Sequence, residues 1–282
     1  MREITLGQYY PVKSVLHRMD PRMKLIIMIL YIVMIFFIKT FVGFGIVLVF
    51  LALTIALSHV PLLKVLKSLK VIIILVIFTV VMSVLFYNGK AEDLLWSAGI
   101  LKIYKEGLLN AGRMALRLVF LVLGPTMLTF TTTPVELTDG LESLLKPLSY
   151  IKFPVHELAI IMSIALRLIP TLVEETDKIQ SAQKARCADF ESGNVFKRAK
   201  AMIPVLIPLF VSSFRRADDL ADAMDSRCYR GAKGRTRMKK LKVHFRDFAA
   251  LFVMCVFFFA VLWLRYNFFP ALIDLSAVPW II

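Results

Sequence analysis

Long apolar runs, separated by short polar breaks, fill much of the first half of the chain and return near its end. In the first half they cover residues 25–38, 44–58, 71–87 and 108–132. Because a bilayer crossing takes about 20 helical residues, these runs predict four spans, the first two joined by a turn near Lys39. A further run at 247–266 predicts the last span, and the mixed residues 88–107 predict a loop.

The segment 134–246, between the fourth and last apolar runs, is predicted to be helical. Apolar residues recur in it at three- and four-residue spacing, and no long Gly/Ser stretch interrupts them. The predicted helices cover about 134–150, 155–187 and 195–229. The pattern therefore predicts an all-α integral membrane protein with about five transmembrane helices and a set of long amphipathic helices outside the bilayer.

Composition and charge add an orientation to this picture. Of the 282 residues 59% are hydrophobic, against roughly 45–50% in soluble domains, so the bilayer is the expected partner of the excess. The net charge is +15, and basic residues concentrate in 1–24, after the second span and in 134–246. The positive-inside rule places these segments on the cytoplasmic side of the cell membrane and the tail 267–282 outside. This topology accounts for the charge, so no nucleic-acid partner is expected.

Two of the predicted amphipathic helices end in similar tripeptides, each with a single arginine at the end of an apolar stripe. The tripeptides are Ala185-Arg186-Cys187 and Ser226-Arg227-Cys228. One interpretation is that each cation complements the dipole at a helix C-terminus. The other is that the two guanidinium groups are matched contacts for acidic grooves on a partner, because the planar fork of Arg binds carboxylates bidentately.

Small residues lie one turn apart in the second of these helices, at Ser213, Ala217 and Ala221. Such a row lets another helix cross at short distance. We therefore predict a helix crossing here, which would make the long helices a rigid lever.

An aspartate-rich motif favours a different function. Asp218, Asp219 and Asp222 form a DDxxD pattern, which in membrane prenyltransferases holds magnesium and a diphosphate. Arg215 and Arg216 lie one turn away and can pair with these aspartates, so a solvated, salt-bridged face is the favoured interpretation. The four histidines have no metal-ligand spacing, and we expect no metal site or cofactor in this chain.

Two arginines, Arg113 and Arg117, fall inside the fourth predicted span. A charge at such a position is a candidate for function. The favoured alternative places both near the outer end of the span, where they snorkel to the interface.

Several segments resemble the transmembrane T component of energy-coupling factor transporters, and the similarity covers nearly the whole chain. The segments are Gly7–Pro11, Ser14–Lys24, Thr131–Pro134 with Thr138–Glu142, and Ala165–Leu172. That family carries two Ala-Arg-Gly signatures at the ends of cytoplasmic coupling helices. The tripeptides at 185–187 and 226–228 match them with both arginines kept, Ser in place of one Ala and Cys in place of both Gly. Gly would permit a left-handed helix cap that Cys resists, whereas the charge contact is unaffected.

The resemblance implies a non-catalytic subunit of an ATP-driven importer, of the shared type that serves several substrates. It implies that the coupling helices bind two ABC-type ATPase subunits, which hold ATP and magnesium. It also implies that a separate substrate-binding membrane subunit, the S component, docks on this chain and carries a vitamin or similar micronutrient. The membrane prenyltransferase with Asp218, Asp219 and Asp222 remains the alternative at this point.

Overall fold

The computed structural model describes residues 9–70, 72–87, 94–98, 101–190, 192, 194–231, 241 and 243–267. They fall into two compact units. The described part of Gly7–Gly140 and Leu241–Ile282 forms the first, here called the membrane unit, and that of Leu141–Lys240 forms the second, the coupling unit.

The described elements are nine α-helices, one 3₁₀ helix and a two-stranded hairpin. The first four helices are α1 Pro21–Phe37, α2 Phe41–Ser58, α3 Leu62–Leu69 and α4 Ile73–Leu85. The hairpin strands are β1 Leu94–Ala98 and β2 Leu101–Tyr104, followed by α5 Lys105–Thr131 and α6 Pro134–Leu145. The remaining elements are the 3₁₀ helix Lys146–Ile151, α7 Val155–Ala185, α8 Val195–Ser226 and α9 Phe245–Asn267.

Among the described helices, α2, α5, α7 and α9 are each long and apolar enough to cross a membrane, and α3 with α4, bent by 52°, adds a fifth candidate. This confirms an all-α, multi-pass membrane protein. The 17-residue α1 is not in this set. Helix α7 is in it, although the sequence predicted a cytoplasmic location, which stays a prediction. The stretch predicted as a loop before α5 contains the antiparallel pair β1–β2.

Helix α1 packs against α5 and α9 in the membrane unit. Its buried face includes Tyr31, whose hydroxyl donates a hydrogen bond to the Phe120 carbonyl of α5 at 2.8 Å. Gly124 of α5 lies under the same ring. A Cβ atom there would lie 2.2 Å from Tyr31 Cε1, so the close approach of α1 and α5 requires glycine.

A buried polar cluster joins the first and last helices of the membrane unit. Asp20 caps α1 by accepting from the Arg22 backbone N–H at 2.9 Å. Asp247, in the first turn of α9, accepts the backbone N–H of Asp20 at 3.1 Å. Lys24 donates to the carbonyl of Thr131 at 2.9 Å and to the hydroxyl of Thr132 at 3.0 Å. These bonds satisfy polar groups that would be costly to bury unpaired.

The chain before α1 folds back on the end of α5. The backbone N–H of Tyr10 donates to the Phe130 carbonyl at 3.0 Å. The His17 ring bridges the Tyr10 carbonyl, 2.9 Å from Nε2, and the Ser14 hydroxyl, 2.7 Å from Nδ1. Burial lowers the pKa of His17 below its ordinary value of 6.5. The neutral ring fits both contacts, with Nε2–H as donor and Nδ1 as acceptor.

The arginines inside α5 contact the C-terminal end of α1. Arg117 donates to the Ile38 carbonyl at 2.7 Å, and Arg113 reaches the Lys39 carbonyl at 3.4 Å. These carbonyls follow the last turn of α1, where the helix leaves acceptors without intrahelical partners. The two cations therefore stabilise the α1–α2 turn.

Candidate functional site

Helix α7 ends in a Schellman motif whose left-handed residue is Cys187. The Cys187 N–H donates to the Lys184 carbonyl, and the Ala188 N–H donates to the Gln183 carbonyl, both at 3.0 Å. Cys187 has a φ of 65°, the left-handed conformation that this motif requires. Arg186 is the residue directly before it and caps the helix.

Helix α8 ends in the same motif, with Cys228 at the position that Cys187 has in α7. The Cys228 N–H donates to the Asp225 carbonyl at 2.9 Å, and the Tyr229 N–H donates to the Met224 carbonyl at 3.1 Å. Cys228 has a φ of 55°. The sequence suggested that Cys would resist the left-handed conformation, but Cys adopts it at both helix ends. A left-handed non-glycine residue costs about 1 kcal/mol or more, which each motif has to offset.

The two tripeptides are exposed throughout, from Ala185 to Cys187 and from Ser226 to Cys228. Within the described parts of the chain, the guanidinium groups of Arg186 and Arg227 form no ion pair and no side-chain hydrogen bond. Each arginine therefore presents its full set of donors at the tip of a long helix. The coupling role predicted for these six residues stays a prediction.

An ionic contact that the sequence did not predict joins α7 to α8. Arg216 of α8 pairs with Glu175 of α7 at 2.5 Å and donates to the Thr171 hydroxyl at 3.1 Å. The Ser212 hydroxyl donates to the second oxygen of the same carboxylate. We call Thr171, Glu175, Ser212 and Arg216 the clasp. The expectation that Arg216 pairs with the aspartates of its own helix is wrong, because Glu175 offers a partner across the helix contact.

A signal for the clasp was present in the sequence. Glu175 interrupts the apolar stripe of α7 between Leu172 and Ile179, and Arg216 lies one turn after Ser212 on the face that carries the buried Val205. Opposite charges on two apolar stripes can form an ion pair when these stripes face each other. The stripes alone, however, do not specify that α7 packs against α8.

The small residues of α8 lie beside the clasp. Ser213 is half-buried and donates to the Leu209 carbonyl of its own helix at 2.7 Å, whereas Ala217 and Ala221 are exposed. The clasp bonds to α7 come from Ser212 and Arg216, each one position before a small residue of this row. The crossing of the two long helices predicted at Ser213, Ala217 and Ala221 stays a prediction.

The aspartates of the DDxxD pattern are exposed on α8. Asp218, Asp219 and Asp222 form no salt bridge within the described ranges. In the part of the chain that the structure describes, no group of three or more His, Cys, Asp or Glu side chains is placed to hold a metal ion. The three carboxylates thus lie along a solvated helix face.

Comparison with known proteins identifies the family. Residues 12–238 match the CbiQ family, described as cobalt transport protein. An energy-coupling factor transporter transmembrane protein of Clostridium kluyveri is 51% identical over 267 residues, which cover 93% of this chain and 98% of that protein. Proteins of the same name from Ruminiclostridium cellulolyticum and Lactococcus lactis are 49% and 44% identical, over 95% and 93% of this chain and 100% and 97% of the relatives.

These matches confirm the resemblance noted in the sequence and make the chain a transporter subunit, so the prenyltransferase alternative loses its support. They also agree with the four to five candidate spans. The chain belongs to the family of energy-coupling factor transporter transmembrane proteins, as a multi-pass membrane component of such a transporter.

Proposed function

We propose that this chain couples two ABC-type ATPase subunits to a separate substrate-binding membrane subunit in a vitamin importer. The observation that carries the proposal is the matched pair of helix ends. Two helices, in different sequence contexts, end in the same Schellman geometry, with an exposed arginine before the left-handed residue that has no ion pair among the described residues. Dipole complementation needs neither the same backbone motif nor two matched helices.

Each arginine contacts one ATPase in this proposal. The guanidinium of Arg186 or Arg227 enters an acidic groove and binds a carboxylate bidentately, which fixes the helix direction as well as the contact. ATP and magnesium are bound by the ATPase subunits. This chain contributes no catalytic group.

The clasp makes the two contacts mechanically dependent on each other. Because Arg216 and Glu175 hold α8 and α7 together, a motion imposed on one helix tip is passed to its neighbour. A closing ATPase pair therefore moves a joined pair of helices rather than two independent ones. That motion reorients the substrate-binding subunit.

The docking surface for this subunit is proposed on the apolar faces of the coupling unit. Ile161 and Met162 of α7 and Ile207, Phe210 and Phe214 of α8 are at least half exposed. An apolar patch of this kind is typical of a protein or membrane contact. The coupling helices and the N-terminus are placed in the cytoplasm and the C-terminus outside, as the positive-inside rule predicts.

Charge reversal at the helix tips tests the proposal. Arg186→Glu combined with Arg227→Glu should abolish ATPase co-purification and vitamin uptake, because both grooves then meet a like charge. Lys178→Glu combined with Arg198→Glu is the matched control, since both are exposed cations on the same helices away from the tips. Normal ATPase binding and uptake by the stably expressed tip variant would refute the assignment.

A further inference from the structure

A groove of about 340 Å³ lies within the membrane unit, bounded by α1, α2, α5 and α9. Its volume is in the range of roughly 300–1,000 Å³ typical of sites for small molecules. The turn before α1 covers one end of it through Val15, Leu16 and Met19. All of its lining residues belong to the membrane unit, and none belongs to the tripeptides that carry the proposed function.

The groove has one polar end and a long apolar body. Lys24, Thr131 and Arg246 lie at the end near the N-termini of α1 and α9. At the other end, the rings of Tyr31 and Phe50 stack at 6.0 Å. The lining between these ends consists mostly of aliphatic side chains, methionines and alanines, together with Thr54 and Gly124, and none of the lining residues is acidic.

Helix geometry gives the depth of the groove. The lining residues of α9 run from Arg246 to Val253, and those of α1 run from Lys24 to Tyr31. Seven helical residues rise about 10 Å, so both helices give the same depth.

The lining of the groove favours a hydrocarbon chain as the occupant. The apolar body is about 10 Å long, and the carbon atoms of such a chain pack against apolar side chains at about 4 Å. Exposed apolar side chains of Leu53, Leu57 and Val253 flank the groove, and they leave it open toward the lipid around the spans.

The charges at the polar end favour an anionic headgroup. The Lys24 amine is already bound to Thr131 and Thr132. Arg246 is exposed and has no ion pair or side-chain hydrogen bond within the described residues. The neighbouring carboxylate of Asp247 accepts two backbone N–H groups, from Asp20 and His244, and is almost fully buried. Arg246 is thus the cation available for a ligand.

We propose that this groove binds one anionic phospholipid from the leaflet on the N-terminal side of the membrane. One acyl chain occupies the apolar body, and the phosphate pairs with the guanidinium of Arg246. The stacked rings of Tyr31 and Phe50 end the acyl site, because the Tyr31 hydroxyl is fixed to the Phe120 carbonyl.

Two variants separate the acyl site from the headgroup site. Ala250→Phe fills the apolar body, and Val256→Phe is its control, because Val256 is a half-exposed residue on the same helix outside the groove. Arg246→Ala removes the headgroup partner, and Lys70→Ala, an exposed cation outside the groove, is its control. The full chain is reconstituted in nanodiscs of dioleoyl phosphatidylglycerol and dioleoyl phosphatidylcholine in equal amounts, extracted, and weighed with its retained lipid by native mass spectrometry.

The wild type and both controls should retain one phosphatidylglycerol. Arg246→Ala should lower the preference for phosphatidylglycerol over phosphatidylcholine about fivefold, which corresponds to about 1 kcal/mol for one cation near a membrane surface. Ala250→Phe should lose the retained lipid of either kind. Unchanged retention in Ala250→Phe, or an unchanged lipid preference in Arg246→Ala, would overturn the proposal. Loss of a protein partner by Ala250→Phe with lipid retention intact would assign the groove to that partner and overturn it as well.

Discussion

The left-handed cysteines at the two helix ends predict that glycine stabilises both ends. Cys187→Gly and Cys228→Gly each remove a Cβ atom from a residue with a φ of 65° or 55°. The left-handed conformation costs a non-glycine residue about 1–2 kcal/mol. Glycine removes this cost but loses about 0.5–1 kcal/mol through its greater freedom in the unfolded chain. The expected net gain is about 0.5–1 kcal/mol at each site.

Hydrogen exchange measures this gain locally. The amides of Ala188 and Tyr229 close the two Schellman motifs, with donor–acceptor distances of 3.0 and 3.1 Å. If each helix end opens independently of the rest, a gain of 0.5–1 kcal/mol slows exchange at these amides about two- to fivefold. The change should be confined to the last turn of the substituted helix.

Alanine is the matched control. Cys187→Ala and Cys228→Ala remove the thiol but keep the Cβ atom, so the backbone cost remains and exchange should stay within error of the wild type. Equal protection in the glycine and alanine variants would refute the argument, because it would show that the conformation carries no cost at these positions. The exposed arginines are retained throughout, so ATPase contact is expected to survive.

Three further predictions concern the contacts that hold each unit together. A double-mutant cycle of Glu175→Gln and Arg216→Met, measured by denaturation, should give a coupling free energy of about 1 kcal/mol for this half-exposed pair. Additive effects would show that the pair does not hold α7 and α8 together. Burial lowers the pKa of His17, so its contribution to stability is complete above pH 6.5 and declines as the pH falls below that value. The melting temperature should therefore fall less between pH 7.5 and pH 5 in His17→Gln than in the wild type. Gly124→Ala should destabilise the membrane unit by about 1–3 kcal/mol through the displaced aromatic ring, whereas Gly45→Ala, with open space around it, should not.

The helix ends were predictable because their signals are local. Asp20 before Pro21 indicates a helix start, and Thr133 with Glu136 three residues later gives a capping box, whose two bonds are 3.3 and 3.4 Å long. The tripeptides at Arg186 and Arg227 were likewise visible as ends of stripes. Each of these features depends on residues within one turn of each other.

The clasp and the lipid groove were not predictable because they depend on tertiary neighbours. Arg216 has aspartates two, three and six residues away in sequence, but it pairs in space with Glu175, which is 41 residues away. The groove needs four helices at once, and its lining residues are ordinary lipid-facing or core residues when considered singly. Sequence periodicity specifies which face of a helix is apolar, but not which helix that face meets.

The bond between Asp20 and Asp247 can form only late in the biosynthesis of the membrane unit. It joins residues 227 positions apart, one beginning α1 and the other beginning α9. At a synthesis rate of about 5–20 residues per second, α1 waits about 10–45 s for its partner. During that time the coupling helices are already made while the membrane unit is still incomplete. A nascent chain that has not yet reached α9 therefore already carries both arginine tips while Asp20 still lacks its partner on α9.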